Sequence, residues 1–224
     1  MSDNSPGNAH RYDIAALVHA FLASTTSDFS PLVEEPSASW NVTVSQRTEE
    51  GMTAVSPEQI TNVFFLATAA FTNSLVAGTV RFGDREFRIS TELGPASDTA
   101  RYELWEWADA LDRPDVAPRN TEFVLTLDRM VSIVGELARA VTTLQKEIAV
   151  APASAIARIE AARSRARDTF QASLRENEHR SAAAAAAEAF RKHDYRRVVA
   201  LLEPYVDLLT ASEKKKLSFA RSRL

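Results

Sequence analysis

Glu103, Glu106 and Asp109 recur every third residue through a stretch rich in aromatic side chains. Paired carboxyls can do general acid–base work when one of them is desolvated. A helix here places all three opposite its apolar stripe, which is the position of a solvated acidic face. The four histidines, His10, His19, His179 and His193, lie in unrelated contexts, and none has the His-Glu-x-x-His spacing of a zinc helix. The chain has no cysteine, which removes disulfides, thiolate nucleophiles and thiolate metal sites together. Its six glycines form no phosphate-cradling loop, and Gly83 and Gly94 lack the strand–loop–helix setting one needs. No serine sits in a nucleophile-elbow sequence. These residues predict a non-enzymatic protein with no metal and no cofactor.

The charged residues point to binding instead. Arg191, Lys192, Arg196 and Arg197 cluster within seven positions, and Lys214, Lys215 and Lys216 follow. Residues 1–150 carry 21 acidic and 11 basic side chains, a balance of −10, whereas 151–224 carry 9 and 15, a balance of +6. An acidic body with a basic lobe fits contact with an acidic protein partner or with the chain's own acidic half. Phosphate contact on nucleic acid is the alternative. The basic half has almost no interleaved aromatics, which disfavours stacking on bases. Trp105 and Trp107, two apart on a helix, point to different faces; one belongs in the core, and Trp107 is the candidate exposed contact residue. No apolar run approaches bilayer length, and the N-terminus lacks a basic segment followed by an apolar one, so a cytoplasmic location without membrane contact is expected.

The longest element is marked by a 4-3-4-3 ladder: Phe123, Leu127, Met130, Val134, Leu137, Val141, Leu144 and Ile148. This spacing lines one seam of a single helix, and something must cover it. β-Branched residues alternating with leucine and methionine suit a parallel homodimer. The flanking positions include Val131, Ile133, Ala138 and Ala140, which carry none of the charges an exposed zipper uses to choose its partner. The wider seam fits cover by the following helix and by the preceding domain. That following helix starts after Ala151-Pro152 and runs to about residue 192 through Ile156, Ile159, Ala162, Ala166, Phe170 and Leu174. The pair reads as a long antiparallel hairpin, through which a homodimer could also form.

The first half reads as α+β. Residues 1–10 are rich in Ser, Asn, Gly and Pro and are expected to be disordered. An amphipathic helix is predicted over 13–22, a strand over 40–46 and its partner over 52–55. Ser56-Pro57-Glu58-Gln59 has the form of a capping box and predicts a helix running to about Val76. Strands over 79–82 and 85–90 follow, joined at Gly83-Asp84 by a type II′ turn. A helix over 97–111 is N-capped by Ser97. The Pro/Asp-rich segment 112–119 is read as the domain boundary.

At the C-terminus, residues 185–209 (AAAEAFRKHDYRRVVALLEPYVDLL) place small residues before Ala189-Phe190, then a tight Lys192-His193-Asp194-Tyr195 turn, then an amphipathic helix with Pro204. This pattern resembles the middle of a tetratricopeptide repeat, with His193 where the repeat more often has glycine. The resemblance covers about forty residues, and a single repeat is too short for an array. It implies peptide or protein binding by a helical surface. The full expectation is an α+β domain over 11–112, a helical hairpin over 120–192 and a repeat-like helical cap over 185–224. The chain is expected to act as an interaction or adaptor protein, or alternatively as an accessory nucleic-acid-binding protein of a bacterial defence or regulatory system.

Overall fold

The computed structural model describes residues 13–61, 63–83, 87–117, 123–150 and 153–224. The 1–10 tail, Asp84 and the Ala151-Pro152 break lie outside the described residues. The fold is α+β, with an antiparallel sheet in the first half and six helices. Two compact units divide at Ile159/Glu160.

The first unit opens with α1 (Ile14–Phe29), capped by Asp13, whose carboxylate accepts the Ala16 N–H at 2.9 Å. Then come β1 (Ser39–Thr48), β2 (Gly51–Ala54), β3 (Phe65–Thr72), β4 (Val76–Gly83), β5 (Arg88–Pro95) and β6 (Tyr102–Glu103). They form one sheet in the order β2-β1-β3-β4-β5-β6, antiparallel throughout. Next are α2 (Leu104–Ala110), α3 (Leu127–Ala149) and the first two turns of α4 (Ala153–Arg191).

Strand alternation decides which face is core. Phe65, Ala67, Ala69 and Phe71 of β3 and Val76, Val80 and Phe82 of β4 are buried, while Leu66, Thr68, Thr79 and Arg81 between them are half-buried on the opposite face. Against the buried face lie Leu17, Val18, Phe21 and Phe29 of α1 and the seam of α3. Gly78 marks a close approach between strands: a Cβ there would sit 2.6 Å from the Glu92 carbonyl and 2.9 Å from the Phe71 ring.

The ladder works as core along most of its length. Met130, Val134, Leu137, Val141, Leu144 and Ile148 are buried. The N-cap is Thr126, so Phe123 precedes the helix, and Phe123 and Leu127 are 54% and 48% exposed. Cover comes from α1 and the sheet, with Ala155 and Ile159 of α4 the buried residues that the next helix adds to this core. Of the two covers expected for the seam, the preceding domain supplies α1 and the sheet, and the following helix adds only its first two turns. For the same reason the compact unit runs through residue 159 instead of ending at 112–119.

Two predicted helices are corrected. The capping box at Ser56 forms, with Gln59 Oε1 accepting the Ser56 N–H at 2.9 Å, but it caps only a 3-10 turn, Pro57–Gln59. The residues beyond it are strands, because Phe65, Ala67, Ala69 and Phe71 alternate at period two. The 3-4 spacing of Phe64, Ala67 and Phe71 imitates a helix only because alanines occupy both faces. In 97–111, only Leu104–Ala110 is helical. Tyr102–Glu103 pairs with β5, and Asp98 forms a local turn, accepting the Thr99 and Ala100 N–H groups. Gly83 pairs with Arg88 as a strand residue, so it is not a turn position of a two-residue loop. α1 also continues to Phe29, beyond the predicted end at 22.

The second unit contains the rest of α4, then α5 (Tyr195–Leu202) and α6 (Ala211–Arg221). Ala186, Ala189, Val198, Leu202, Leu209, Leu217 and Ala220 form its core.

Candidate interaction surfaces

The repeat-like turn is built by two opposed caps. His193 has φ 57°, the left-handed conformation that ends helices, and the Asp194 N–H reaches the Ala189 carbonyl at 3.0 Å. Glycine is commoner at this position because a Cβ is penalised there. Asp194 then caps α5, accepting the Arg197 N–H at 3.1 Å. The His193 Nδ1 and the Tyr195 hydroxyl are 2.9 Å apart.

This turn gathers part of the predicted basic cluster. Lys192 Nζ donates to Glu188 Oε1 at 2.7 Å, and that bond, joined by the charges of Lys192, Arg191 and Arg197, holds the exposed Glu188 carboxyl below its usual range. Of the four predicted cations, Lys192 contacts this carboxylate, Arg191 Nε donates to the Ala187 carbonyl at 3.4 Å, and Arg196 and Arg197 are exposed in the first turn of α5. Phe190, Tyr195 and Phe219 meet ring to ring at 5.6–5.9 Å, with Phe219 40% exposed and the Arg223 guanidinium 5.1 Å above it. Lys214 and Lys215 are exposed and Lys216 is half-buried in α6, behind the capping box of Thr210 and Glu213. Burial pushes the Glu213 carboxyl up, but hydrogen bonds from the Thr210 N–H and hydroxyl, with His179 alongside, leave it below its ordinary value. His179 is 9% exposed, with Nε2 3.3 Å from Glu213.

Trp107 is corrected from contact residue to core. It is fully buried, its Nε1 donates to the Leu93 carbonyl at 2.7 Å, and its ring meets Tyr102 edge-on at 5.5 Å. Because α2 begins at Leu104, Trp107 falls on the inward face with Leu104 and Ala108, while Trp105 is half-buried.

The predicted inward run of α4 is also overturned beyond Ile159. From Glu160 to Glu178 every residue is exposed except the half-buried Arg163, and Phe170 and Leu174 are 65% and 43% exposed. Arginines at 163, 165 and 167 point around the helix and leave no broad apolar stripe. A groove of about 470 Å³ runs between this stretch and Tyr205, lined by Gln171, Leu174 and Glu178.

The acidic triplet has an electrostatic asymmetry that the sequence does not show. Glu103 pairs directly across from Glu92 in the β5–β6 ladder, and Glu106 accepts the Glu103 N–H at 2.8 Å. Burial, then the charges of Glu92 and Glu106, push Glu103 up to about 7 against the pull of the Thr91 N–H and Arg81. The adjoining cleft of about 170 Å³ is lined in part by Thr91, Trp105 and Leu137. Among the described residues, no three His, Asp or Glu side chains are grouped to hold a metal ion, and no helix is long and apolar enough to cross a membrane.

No family model, curated protein or solved structure matches the chain.

Proposed function

We propose that this protein is a non-enzymatic interaction or adaptor protein that binds an acidic segment of another protein at the α4–α5 turn of its second unit. The observation that carries this reading is that Arg191, Lys192, Arg196 and Arg197 are all exposed about one turn, together with the aromatic cluster that leaves Phe219 40% exposed. An acidic peptide offers carboxylates to the arginines and an apolar side chain to the ring, the pairing of anchor and charged rim that protein interfaces use. The limited resemblance to a tetratricopeptide repeat at the same turn supports the same reading.

A nucleic-acid role is the second reading, and the exposed cations of α5 and α6 favour it. It ranks lower because Glu188, Asp194, Glu203 and Glu213 interrupt the charge. Pull-down with and without nuclease separates the two: a protein partner survives nuclease and is lost when Arg191, Lys192, Arg196 and Arg197 are changed to glutamate.

A further inference from the structure

The cleft of about 170 Å³ lies between β5, the start of α2 and Leu137 of α3. Ile89, Leu104 and Leu137 give it apolar walls, Trp105 an aromatic one, and Thr91 and Glu103 bring polar groups to it. Thr91 is 1% exposed and its hydroxyl has no hydrogen-bond partner, a state that a buried polar group seldom keeps unless it serves a ligand or stores strain. The Thr91 N–H donates to the Glu103 carboxyl, so the two residues adjoin.

The charge around Glu103 is of one sign. Glu92 faces it across the β5–β6 pair, and Glu106 of α2 accepts its N–H. Arg81 of β4 is committed to Glu92 at 2.9 Å, and Arg88, which also lines the cleft, holds its guanidinium 5.5 Å above the Phe123 ring. The lining from α3 is the uncharged Leu137. Among the described residues no cation is within ion-pair range of Glu103, which burial and the two neighbouring carboxylates push up to about 7. A bound cation would relieve the same repulsion that the proton relieves.

We propose that this cleft binds a small planar organic cation, an amidinium or guanidinium, between the Glu103 carboxylate and the Trp105 indole, with one N–H given to the Thr91 hydroxyl. The volume is below the roughly 300–1,000 Å³ of drug-sized sites, so the cleft takes a fragment-sized molecule or a single side chain. A forked donor matches a carboxylate beside a hydroxyl better than a point-like ammonium does. Indole is the strongest of the aromatic faces for a cation, and the carboxylates repel an anion. The cleft belongs to the first unit and the α4–α5 turn to the second, so either reading can fail without the other.

Isothermal calorimetry on the full chain with benzamidinium, and with neutral benzamide of the same shape, tests the cleft. Benzamidinium should bind at least about tenfold more tightly. Only the ionised carboxyl pairs with a cation, and with Glu103 near 7 the ionised fraction rises from about one tenth at pH 6 to about nine tenths at pH 8. Affinity should therefore rise about tenfold over that range. Glu103→Gln should bind at least about tenfold more weakly at pH 8 and lose the rise, while Thr91→Val should bind about threefold more weakly and keep it. In saturating benzamidinium the carbon-13 signal of the Glu103 carboxyl should titrate below about pH 6. N-acetylarginine methylamide distinguishes the two sources of this chemistry: weaker binding than benzamidinium, the expected order, supports a free aromatic ligand, and tighter binding supports an arginine side chain of another protein. No heat at millimolar benzamidinium, equal affinity for benzamide, or wild-type binding by Glu103→Gln would each overturn the proposal.

Discussion

Glu103 faces Glu92 across the β5–β6 pair, and only Glu92 has an arginine in ion-pair range, Arg81 at 2.9 Å. The unfolded Glu103 titrates near 4.5 and the folded one near 7, so the folded state binds the proton more tightly. Its contribution to stability is full below about pH 4.5, is lost as pH rises to about 7, and is constant above that. Glu103→Gln keeps the side-chain shape and removes the charge. Urea titrations followed by tryptophan fluorescence, which reports the first unit because Trp40, Trp105 and Trp107 all lie in it, should show the variant more stable than wild type at pH 8. The gain should shrink toward pH 4.5, and a gain independent of pH would contradict the assignment.

Asn73 ties the β3–β4 turn to two other elements. Its Nδ2 donates to the Leu32 carbonyl at 3.0 Å and to Gln145 Oε1 at 3.1 Å, and its Oδ1 accepts the N–H groups of Leu75 and Val76. Asn73→Ala leaves these buried groups without partners and should cost about 1–3 kcal/mol by the same fluorescence assay. Gln145→Ala, which removes one of the four bonds, should cost less.

Leu144 and Phe170 separate core from surface. Leu144 is fully buried in the α3 seam, so Leu144→Ala should destabilise the first unit by about 2–5 kcal/mol. Phe170 is 65% exposed, so Phe170→Ala should change unfolding by less than about 0.5 kcal/mol.

Much of the first unit was legible in the sequence where one periodicity stood alone. β1 and β2 appear because Trp40, Val42 and Val44 alternate with polar residues, and α3 appears because its ladder has no competing period. The 56–76 stretch failed for a physical reason: its capping box is a local signal satisfied by a single turn, whereas β3 is fixed by pairing with β1 and β4. The exposure of Phe170 and the burial of Trp107 depend on which neighbours supply cover, and spacing alone does not specify those neighbours. Glu103 is pushed up first by burial and then by a cross-strand carboxylate eleven positions away, neither of which a local pattern records.

His193 occupies a left-handed position where a Cβ costs about 1–2 kcal/mol. Its side-chain contact with Tyr195 and the greater flexibility of unfolded glycine offset part of that. His193→Gly should therefore raise the stability of the second unit by up to about 1 kcal/mol, read from the helical signal in circular dichroism. A loss of stability would show that the His193–Tyr195 contact outweighs the backbone.

In the proposed function, the α4–α5 turn holds a protein through its cations. The most direct test is quantitative pull-down from a nuclease-treated lysate with the wild type and with a variant carrying glutamate at Arg191, Lys192, Arg196 and Arg197. The expected result is a protein retained by the wild type after nuclease and lost from the variant, with negligible nucleic-acid affinity in both. Retention that disappears on nuclease treatment, together with a steeply salt-dependent sub-micromolar nucleic-acid isotherm, would contradict it.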